Sequence, residues 1–389
     1  MTKVKELIVP FHRADVGEAE AQAAADAVRS GWLTMGSRTI EFEEKFAAYA
    51  GAKHAIGVSS CTAGLHLALD AIGLKQGDEV LAPTTTFTAS AEVVTYFKAK
   101  PVLVDVDAVS LCIDPADAER RITSRTRAVI PVHFAGHPCE MAAIQDMANR
   151  HGLRVIEDAA HALPASYRGV RVGAISELTA FSFYATKTLT TGEGGMVTTD
   201  HDDLATRMRM MRLHGISRDA WKRNSAEGSW HYEVLDMGYK YNLTDIQSAI
   251  GIVQLGKCDA MNAARNEIAS RYTKEFVKER ALEVPTVSEN CESSWHLYVL
   301  RLNLEELIIT RSEMIEKLRV RGIGTSVHFI PLHMHPYYKK AYGYSADEFP
   351  VASREYERYI SLPIFPGMTG TQIDFVIESV LEIVKDAAR

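Results

Sequence analysis

Short apolar runs alternate with amphipathic runs between about residues 50 and 200, and this alternation constrains the fold more than any other feature. The apolar runs are HAIGV, EVLAP, PVLVDVD, AVIPVHF and LRVIED, and a stretch with helical spacing follows each of the first four. Strands that are apolar on both faces have to be covered by helices on both sides, as in a doubly wound parallel sheet. Ligands of such sheets bind beyond the carboxyl ends of the strands.

The remainder of the chain predicts a second, smaller unit. A long helix begins after a cap at Thr244 or Asp245. Beyond it, SWHLYVLRL, RSEMIEKLRVRGIG, TSVHFIPLH and a final helix from Thr371 indicate mixed helices and strands. We therefore expect a large α/β domain at residues 15–255 and a small α+β domain formed by residues 256–389 together with residues 1–14.

The composition excludes several kinds of partner. The formal net charge is −7, which argues against nucleic acid because proteins that bind it normally carry a basic face. The five cysteines are scattered without a C-x-x-C motif, as is typical of reduced thiols. No apolar run resembles a signal peptide or reaches the length of a membrane span. The sequence predicts a cytoplasmic protein without a membrane partner.

Polar and aromatic side chains follow the predicted strands. Thr62 begins a helix directly after a strand, where it either caps the helix or belongs to a turn that aims N–H groups at a phosphate. Asp158 ends the run VIED, where an acidic residue either caps or serves a ligand. His161 lies one turn further on, and its structural interpretation is a buried histidine. The structural interpretation of Phe87 is an aromatic residue of the core.

Lys187 follows the strand TAFSFYA and is the hardest of these residues to explain structurally. If it is held near the strand ends, burial lowers its pKa from the ordinary value of about 10.4. A neutral amine in a cleft is a nucleophile towards aldehydes. A lysine for an aldehyde, a carboxylate for a pyridinium nitrogen, an aromatic face and a Thr/Ser helix start for a phosphate together describe a pyridoxal 5′-phosphate (PLP) site.

Nine stretches, in order over nearly the whole chain, resemble the DegT/StrS-type nucleotide-sugar aminotransferases. They are GWLTMG, SSCTAGLHLAL, GDEVLAPTTTFTASA, PVLVDVD, AVIPVHFAG, VIEDAAHA, FSFYATKTLTTGEGGMVTT, GYKYNLTDIQSAIG and RGIGTSVHFIPLH. The chain looks most like the branch that contains UDP-4-amino-4-deoxy-L-arabinose aminotransferase. The resemblance implies PLP fold type I, as in aspartate aminotransferase. That fold has a large domain with a mostly parallel seven-stranded sheet and a smaller carboxyl-terminal α+β domain.

The resemblance also implies a catalytic centre. The family's Schiff-base lysine falls on Lys187, its pyridinium partner on Asp158 and its ring-stacking aromatic on Phe87. His161 occupies a position next to the cofactor ring. Lys187 would both hold the cofactor and, once displaced by substrate, shuttle a proton.

The phosphate contacts implied by the resemblance fall on Thr62, Ala63 and Ser182. An asparagine of the neighbouring subunit completes the phosphate site in this family and maps to Asn242. This implies an obligate homodimer with shared active sites. Cys61 and Gly64 depart from the family, where other small residues often stand in their places.

Two further positions match family stretches that line the sugar-nucleotide cleft, namely Thr34 in GWLTMG and His328 in HFIPLH. The run HFIPLHMHP also carries His333 and His335, which suggests a metal site. No acidic or cysteine ligand accompanies these histidines, and their spacing fits no common zinc pattern. We therefore expect no metal.

The reaction implied by the resemblance moves an amino group from L-glutamate to a nucleotide-diphosphate-linked 4-keto sugar, or alternatively to a 3-keto sugar, in cell-envelope or secondary-metabolite sugar synthesis.

A short-chain-type dehydrogenase is an alternative suggested by Tyr184 and Lys187. These two are three rather than four residues apart, and no G-x-G-x-x-G follows the first strand. A 3-dehydratase on the same fold has histidine in place of the lysine. A non-catalytic regulator is disfavoured because no DNA-binding helix pair or basic stripe is recognisable.

Overall fold

The computed structural model describes residues 7–217 and 231–389. The strands of these residues are β1 His54–Val58, β2 Glu79–Pro83, β3 Lys100–Val104, β4 Thr126–Val129, β5 Arg154–Asp158, β6 Ser166–Tyr167, β7 Val170–Arg171, β8 Leu178–Ser182, β9 Gly195–Thr199, β10 Leu282–Glu283, β11 Cys291–Glu292, β12 Tyr298–Leu302 and β13 Tyr359–Leu362. The α-helices are α1 Glu18–Arg29, α2 Ser37–Ala50, α3 Cys61–Ala71, α4 Ala89–Thr95, α5 Pro115–Arg120, α6 Met141–His151, α7 Asp202–Met211, α8 Asp245–Phe276, α9 Arg311–Val320, α10 Pro336–Tyr342, α11 Pro350–Tyr356 and α12 Gly370–Asp386. None of the helices in the described ranges is long and apolar enough to cross a membrane.

Seven strands form the central sheet in the order β1-β9-β8-β5-β4-β2-β3. From β8 to β3 neighbouring strands pair in parallel, whereas β9 pairs antiparallel with both β1 and β8. Six of the seven strands therefore share one direction. The prediction of an α/β fold with a mostly parallel seven-stranded sheet is confirmed.

Helices cover both faces of this sheet, as the apolar strands require. Alternate residues of β8 show the two sides, because successive side chains of a strand point in opposite directions. Ala180 packs into a cluster with residues of α3, α4 and α7. Phe181 packs into another cluster, with Phe42 and Phe46 of α2 and with residues of α8. The sheet is thus the middle layer of three.

The carboxyl-terminal part contains a second sheet, with the order β10-β12-β13 and antiparallel pairing. It shares a buried core with α9 and α12, and Val9 near the amino terminus enters the same core and pairs with Ile323. Residues from this part, including Leu297, also pack into a cluster with Leu81 and Leu103 of the central sheet.

The proposed division at residues 255 and 256 falls inside α8, a helix of 32 residues. The domain boundaries therefore stay a prediction. Residues 1–6 of the predicted amino-terminal segment lie outside the described residues.

Local chemistry explains where some elements begin and end. Thr244 is the cap of α8, since its Oγ1 accepts the N–H of Gln247 at 3.3 Å. The predicted strand AVIPVHF is shorter in the structure, where β4 ends at Val129. Pro131 lacks an N–H group and cannot continue a ladder in the middle of a sheet.

Candidate active site

A cavity of about 540 Å3 lies where strands β5 and β8 end, in the size range of small-molecule sites. It brings together residues that are far apart in the sequence. The predicted site residues on its wall are Thr62, Phe87, Asp158, His161, Ser182, Lys187 and His328. Further lining residues with polar or aromatic side chains are Ser60, Cys61, Thr86, Tyr184, Thr186, Glu193, His296 and Phe329.

Asp158 is the last residue of β5, and its carboxylate is held by donors on both oxygens. Oδ2 accepts the hydroxyl of Ser90 at 2.7 Å, and Oδ1 accepts the N–H of Ala160 at 3.0 Å. The thiol of Cys61 is a weaker donor to Oδ1 at 3.9 Å. The residue is 5% exposed. A buried carboxylate with this many donors is fixed in orientation.

Lys187 lies in the segment that connects β8 with β9, and its N–H donates to the carbonyl of Tyr184 at 2.9 Å. The residue as a whole is half-buried. Burial of the amine lowers the pKa of Lys187 to about 8, while Cys61 and Asp158 act in the opposite direction. Burial also raises the pKa of the Cys61 thiol well above its ordinary value. The thiol is therefore uncharged at neutral pH, and Asp158 is the anion that acts on the lysine.

The lowered pKa changes what the amine can do. With a pKa of about 8, about one Lys187 amine in ten is neutral at pH 7. An ordinary lysine is neutral in only about one molecule in several thousand at that pH. Lys187 lies on the wall of the cavity where β8 ends, which is one of the two placements that the sequence left open.

The amino terminus of α3 reaches the cavity through Ser60, Cys61 and Thr62. Ser60, and not Thr62, is the helix cap, since its Oγ accepts the N–H of Ala63 at 3.1 Å. The capping interpretation of Thr62 is therefore wrong, because Thr62 stands inside the first turn. The N–H groups of Cys61 and Thr62 have no carbonyl before them in the helix to which they could donate, and such a helix start favours an anion.

Gly195 at the start of β9 permits this helix start to lie against the sheet. A Cβ at this position would be 2.7 Å from the backbone nitrogen of Cys61 and 2.7 Å from the carbonyl oxygen of Phe181. Both are main-chain atoms that no side-chain rotation moves. The GEGG turn of the sequence therefore ends in a glycine that a close backbone approach requires.

Three imidazoles of the cavity are uncharged at neutral pH. Burial lowers the pKa values of His161 and His296 well below the ordinary value, and the charge of Lys187 acts in the same direction. Burial, with Lys187 again adding to it, lowers the pKa of His328 to about 4. The ring centroids of His161 and His296 are 4.3 Å apart. The Nδ1 atoms of both are buried and have no hydrogen-bond partner among the described residues.

Three predicted site residues are not on the cavity wall. Ala63 is buried, and its N–H donates to Ser60 Oγ. Asn242 pairs with Val58 in an isolated bridge, and its Nδ2 donates to the carbonyl of Leu243 at 3.2 Å. Thr34 is exposed, and its carbonyl accepts the N–H of Asp245 at 3.1 Å. Thr34 and Asn242 thus both lie beside the start of α8.

The other histidines of the run HFIPLHMHP have different surroundings. Both ring nitrogens of His333 have hydroxyl partners, with Nδ1 2.8 Å from Thr84 Oγ1 and Nε2 3.1 Å from Ser353 Oγ. His335 precedes α10 as its cap residue. Within residues 7–217 and 231–389, no group of three or more His, Cys, Asp or Glu side chains is placed to hold a metal ion.

Sequence reasoning missed His296, Phe329 and Ser90. His296 stands just before the buried strand β12 in SWHLYVLRL, and its polarity directly before the apolar residues 297–300 was the available signal. Phe329 directly follows His328, and its ring lies 5.8 Å from that of His161 with an interplanar angle of 20°. Ser90 is four residues after Thr86, the spacing at which side chains near a helix start meet.

Comparison with known proteins assigns the chain to a protein family. Residues 14–381 match the DegT/DnrJ/EryC1/StrS aminotransferase family. The chain belongs to this family. The aminotransferase is 51% identical to an uncharacterized protein of Methanocaldococcus jannaschii over 383 residues, covering 98% of this chain and 99% of the relative. It is 47% identical over 388 residues to the spore coat polysaccharide biosynthesis protein SpsC of Bacillus subtilis, covering 100% of both chains.

Solved structures agree with the family assignment. The aminotransferase is similar to a candidate sugar aminotransferase of Streptococcus pneumoniae in its PLP form, with 31% identity, a TM-score of 0.91 and coverage of 98% of this chain and 99% of the other. The same protein is also known in its PMP form. The fold is PLP fold type I, and the enzyme is a PLP-dependent sugar aminotransferase. The dehydrogenase alternative is thereby excluded, and Tyr184 and Lys187 lie in a loop rather than on one helix.

The residues around the cavity fit PLP. The cofactor needs an anionic partner for its pyridinium nitrogen, an amine for its aldehyde, an aromatic face and donors for its phosphate. A buried carboxylate, an amine with a pKa of about 8, the exposed ring of Phe87 and the free N–H groups of α3 all border one space. The Nδ1 atom of His161 is a further buried polar atom, and it has no hydrogen-bond partner among the residues that the structure describes.

Proposed function

We propose that this aminotransferase moves an amino group from L-glutamate to a nucleotide-diphosphate-linked 4-keto sugar, in the synthesis of cell-envelope or secondary-metabolite sugars. The observation that carries the proposal is that Lys187, Asp158 and the amino terminus of α3 border one cavity. The similarity to a polysaccharide biosynthesis protein supports a sugar as acceptor. A 3-keto sugar is the alternative acceptor.

Two residues carry the proposed chemistry. When bound, PLP supplies an electron sink for the charge that develops when a proton leaves the substrate carbon. The carboxylate of Asp158 keeps the ring nitrogen protonated. With PLP bound, the Nζ atom of Lys187 would hold the aldehyde. Once the amino donor takes its place, Nζ would accept the proton of the donor's α-carbon and pass it to the cofactor carbon. In the second half of the cycle the same Nζ would take a proton from the cofactor carbon and deliver it to the sugar carbon that receives the amine.

Other residues bind and orient. Thr62 and Ser182 hold the phosphate together with the N–H groups of the α3 start. Phe87 is 61% exposed in the single chain, and an exposed aromatic at a cavity is the kind of surface that a planar ring covers. His161 would contact the cofactor ring, and His328 would border the path by which the sugar enters. Because burial keeps both imidazoles uncharged, they act as hydrogen-bonding groups and not as cations.

The working enzyme is proposed to be a homodimer with shared active sites. Asn242 is not on the cavity wall of its own chain and shortly precedes the start of α8, where the N–H of Asp245 donates to the carbonyl of Thr34. This placement suits residues that serve a neighbouring subunit. Asn242 would complete the phosphate site of the partner, and Thr34 would border the sugar-nucleotide cleft.

Subunit mixing tests the shared site. Lys187→Ala and Asn242→Ala homodimers are both expected to be impaired. A heterodimer of the two contains one site with both residues intact and one with neither. Random reassortment should therefore restore about a quarter of wild-type activity, since half of the dimers are mixed and half of their sites are complete. Activity that stays at the average of the two variants after mixing would mean that Asn242 serves its own chain.

The substrate proposal is tested with a panel of acceptors. Purified enzyme loaded with PLP is incubated with L-glutamate and with UDP-, GDP- and dTDP-linked 4-keto and 3-keto sugars, and products are identified by NMR. We expect 2-oxoglutarate to form together with a 4-amino sugar, and neither to form with the Lys187→Ala protein. A 3-amino product would select the alternative. Turnover of a non-sugar acceptor alone would contradict the proposed substrate class.

A further inference from the structure

Two hydroxyl groups connect the segment that carries Phe87 to the carboxylate of Asp158. Thr86 Oγ1 lies 2.8 Å from Ser90 Oγ, and Ser90 Oγ lies 2.7 Å from Asp158 Oδ2. Ser90 is completely buried, and Thr86 is 2% exposed. The contacts form because Ser90 is the second residue of α4 and faces back towards Thr86 four positions earlier.

The directions of the hydrogen bonds follow from the chemistry of the groups. An ionised carboxylate has no proton to give, and a serine hydroxyl has a single proton. The proton of Ser90 therefore goes to Asp158, and Thr86 has to donate to Ser90. The result is a directed chain from Thr86 through Ser90 to Asp158. Each donor in such a chain polarises the next, and a bond to an ionised acceptor is stronger than one between neutral groups.

We propose that Ser90 is a positioning residue for PLP, which acts by holding the carboxylate of Asp158 turned towards the ring nitrogen. Its partner Thr86 directly precedes Phe87, so the same chain ties the stacking aromatic to the carboxylate that pairs with the ring. The inference rests on the proposed role of Asp158. Without Ser90, the buried Oδ2 atom loses its closest donor, so the carboxylate is less firmly oriented and pairs less strongly with a protonated ring nitrogen.

The test uses Ser90→Ala, Ser90→Thr and Asp158→Asn proteins, with PLP labelled with 15N at the ring nitrogen. Three quantities are measured for each protein: the 15N chemical shift of the bound cofactor, the dissociation constant for PLP and the melting temperature. For Ser90→Ala we expect a 15N shift displaced towards that of unprotonated pyridine. We also expect about a tenfold weaker affinity for PLP, the size that loss of a donor to a buried charge suggests. Ser90→Thr keeps a hydroxyl, so its 15N shift and its affinity for PLP should both be close to those of the wild-type protein.

A matched control exists elsewhere in the chain. Ser248 is completely buried and donates to Thr39 Oγ1 at 3.0 Å, a serine–threonine pair like that of Ser90 and Thr86. Ser248→Ala should lower the melting temperature without moving the 15N signal. Thr86→Val leaves Ser90 in place and should shift the signal in the same direction as Ser90→Ala but less. If the Ser90→Ala protein does not fold, the 15N signal of the Thr86→Val protein tests the role of the hydroxyl groups instead.

The outcomes separate this inference from the proposed function. If Asp158→Asn displaces the 15N signal but Ser90→Ala changes only the melting temperature, as Ser248→Ala does, the positioning role of Ser90 is wrong. If Ser90→Thr fails to restore the signal, the hydroxyl is not what matters. If Asp158→Asn itself leaves the signal unchanged, the role of Asp158 is wrong, and the inference about Ser90 falls with it.

Discussion

Replacing Lys187 with alanine is expected to abolish transamination and to make PLP removable by gel filtration. The amine lines the cavity and has a pKa of about 8, so it supplies both the nucleophile for the aldehyde and the group that moves the proton. Loss of a general acid–base group alone lowers kcat by about 10²–10⁴-fold, and we expect the upper end or beyond. The wild-type protein should be yellow, and the variant should lose the visible absorbance band of the covalently held cofactor.

Two control variants separate the loss of the nucleophile from the loss of a positive charge and from a general effect of removing a lysine. Lys187→Arg keeps a cation of similar length, but a guanidinium does not deprotonate in proteins. It should therefore be as inactive as Lys187→Ala. Lys45→Ala removes a lysine that is half-exposed on α2 and pairs with Glu41, and it should leave both colour and kcat unchanged. If Lys187→Arg retained the band, another lysine would have to hold the cofactor.

Much of the fold could be predicted because hydrophobic patterning is strong where strands are buried on both faces. HAIGV and EVLAP coincide with β1 and β2 residue for residue. The strand boundaries that differ are those where the backbone lacks a hydrogen-bond donor, as at Pro131 after β4. The pairing of β11 with β6 joins residues more than 120 positions apart. Such short ladders carry no periodic signal of their own, because two residues are too few to show alternation.

The structure places the predicted residues at strand ends on the wall of the cavity, whereas the lining residues that the sequence did not single out come from other parts of the fold. Asp158 and Ser182 end strands of the central sheet, where the βαβ pattern says that ligands bind. His296 and Phe329 come from the carboxyl-terminal part and meet His161 only through tertiary packing. The cap of α3 is Ser60, two residues before Thr62. Two adjacent serines precede this helix, and each is a good cap by sequence.

Replacing Asp158 with asparagine is expected to have the second largest effect, a fall in kcat of about 10³-fold, which corresponds to about 4 kcal/mol in the barrier. Asparagine preserves the shape and can still accept the hydrogen bond from Ser90, but it carries no charge to hold a protonated ring nitrogen. Single-turnover absorbance measurements with L-glutamate, and separately with the keto sugar, report the two halves of the reaction.

Glu157 provides the matched control, since it is the neighbouring carboxylate of β5 and points away from the cavity. It is completely buried and lies 2.7 Å from His133 Nε2. Glu157→Gln removes a buried negative charge from the same strand, so it should lower the melting temperature while both half-reactions keep their rates. Asp158→Asn should slow both halves to a similar degree, because one ring nitrogen serves both. A loss confined to the sugar half would instead make Asp158 a residue that binds the acceptor, since only an interaction present in that half can change it alone.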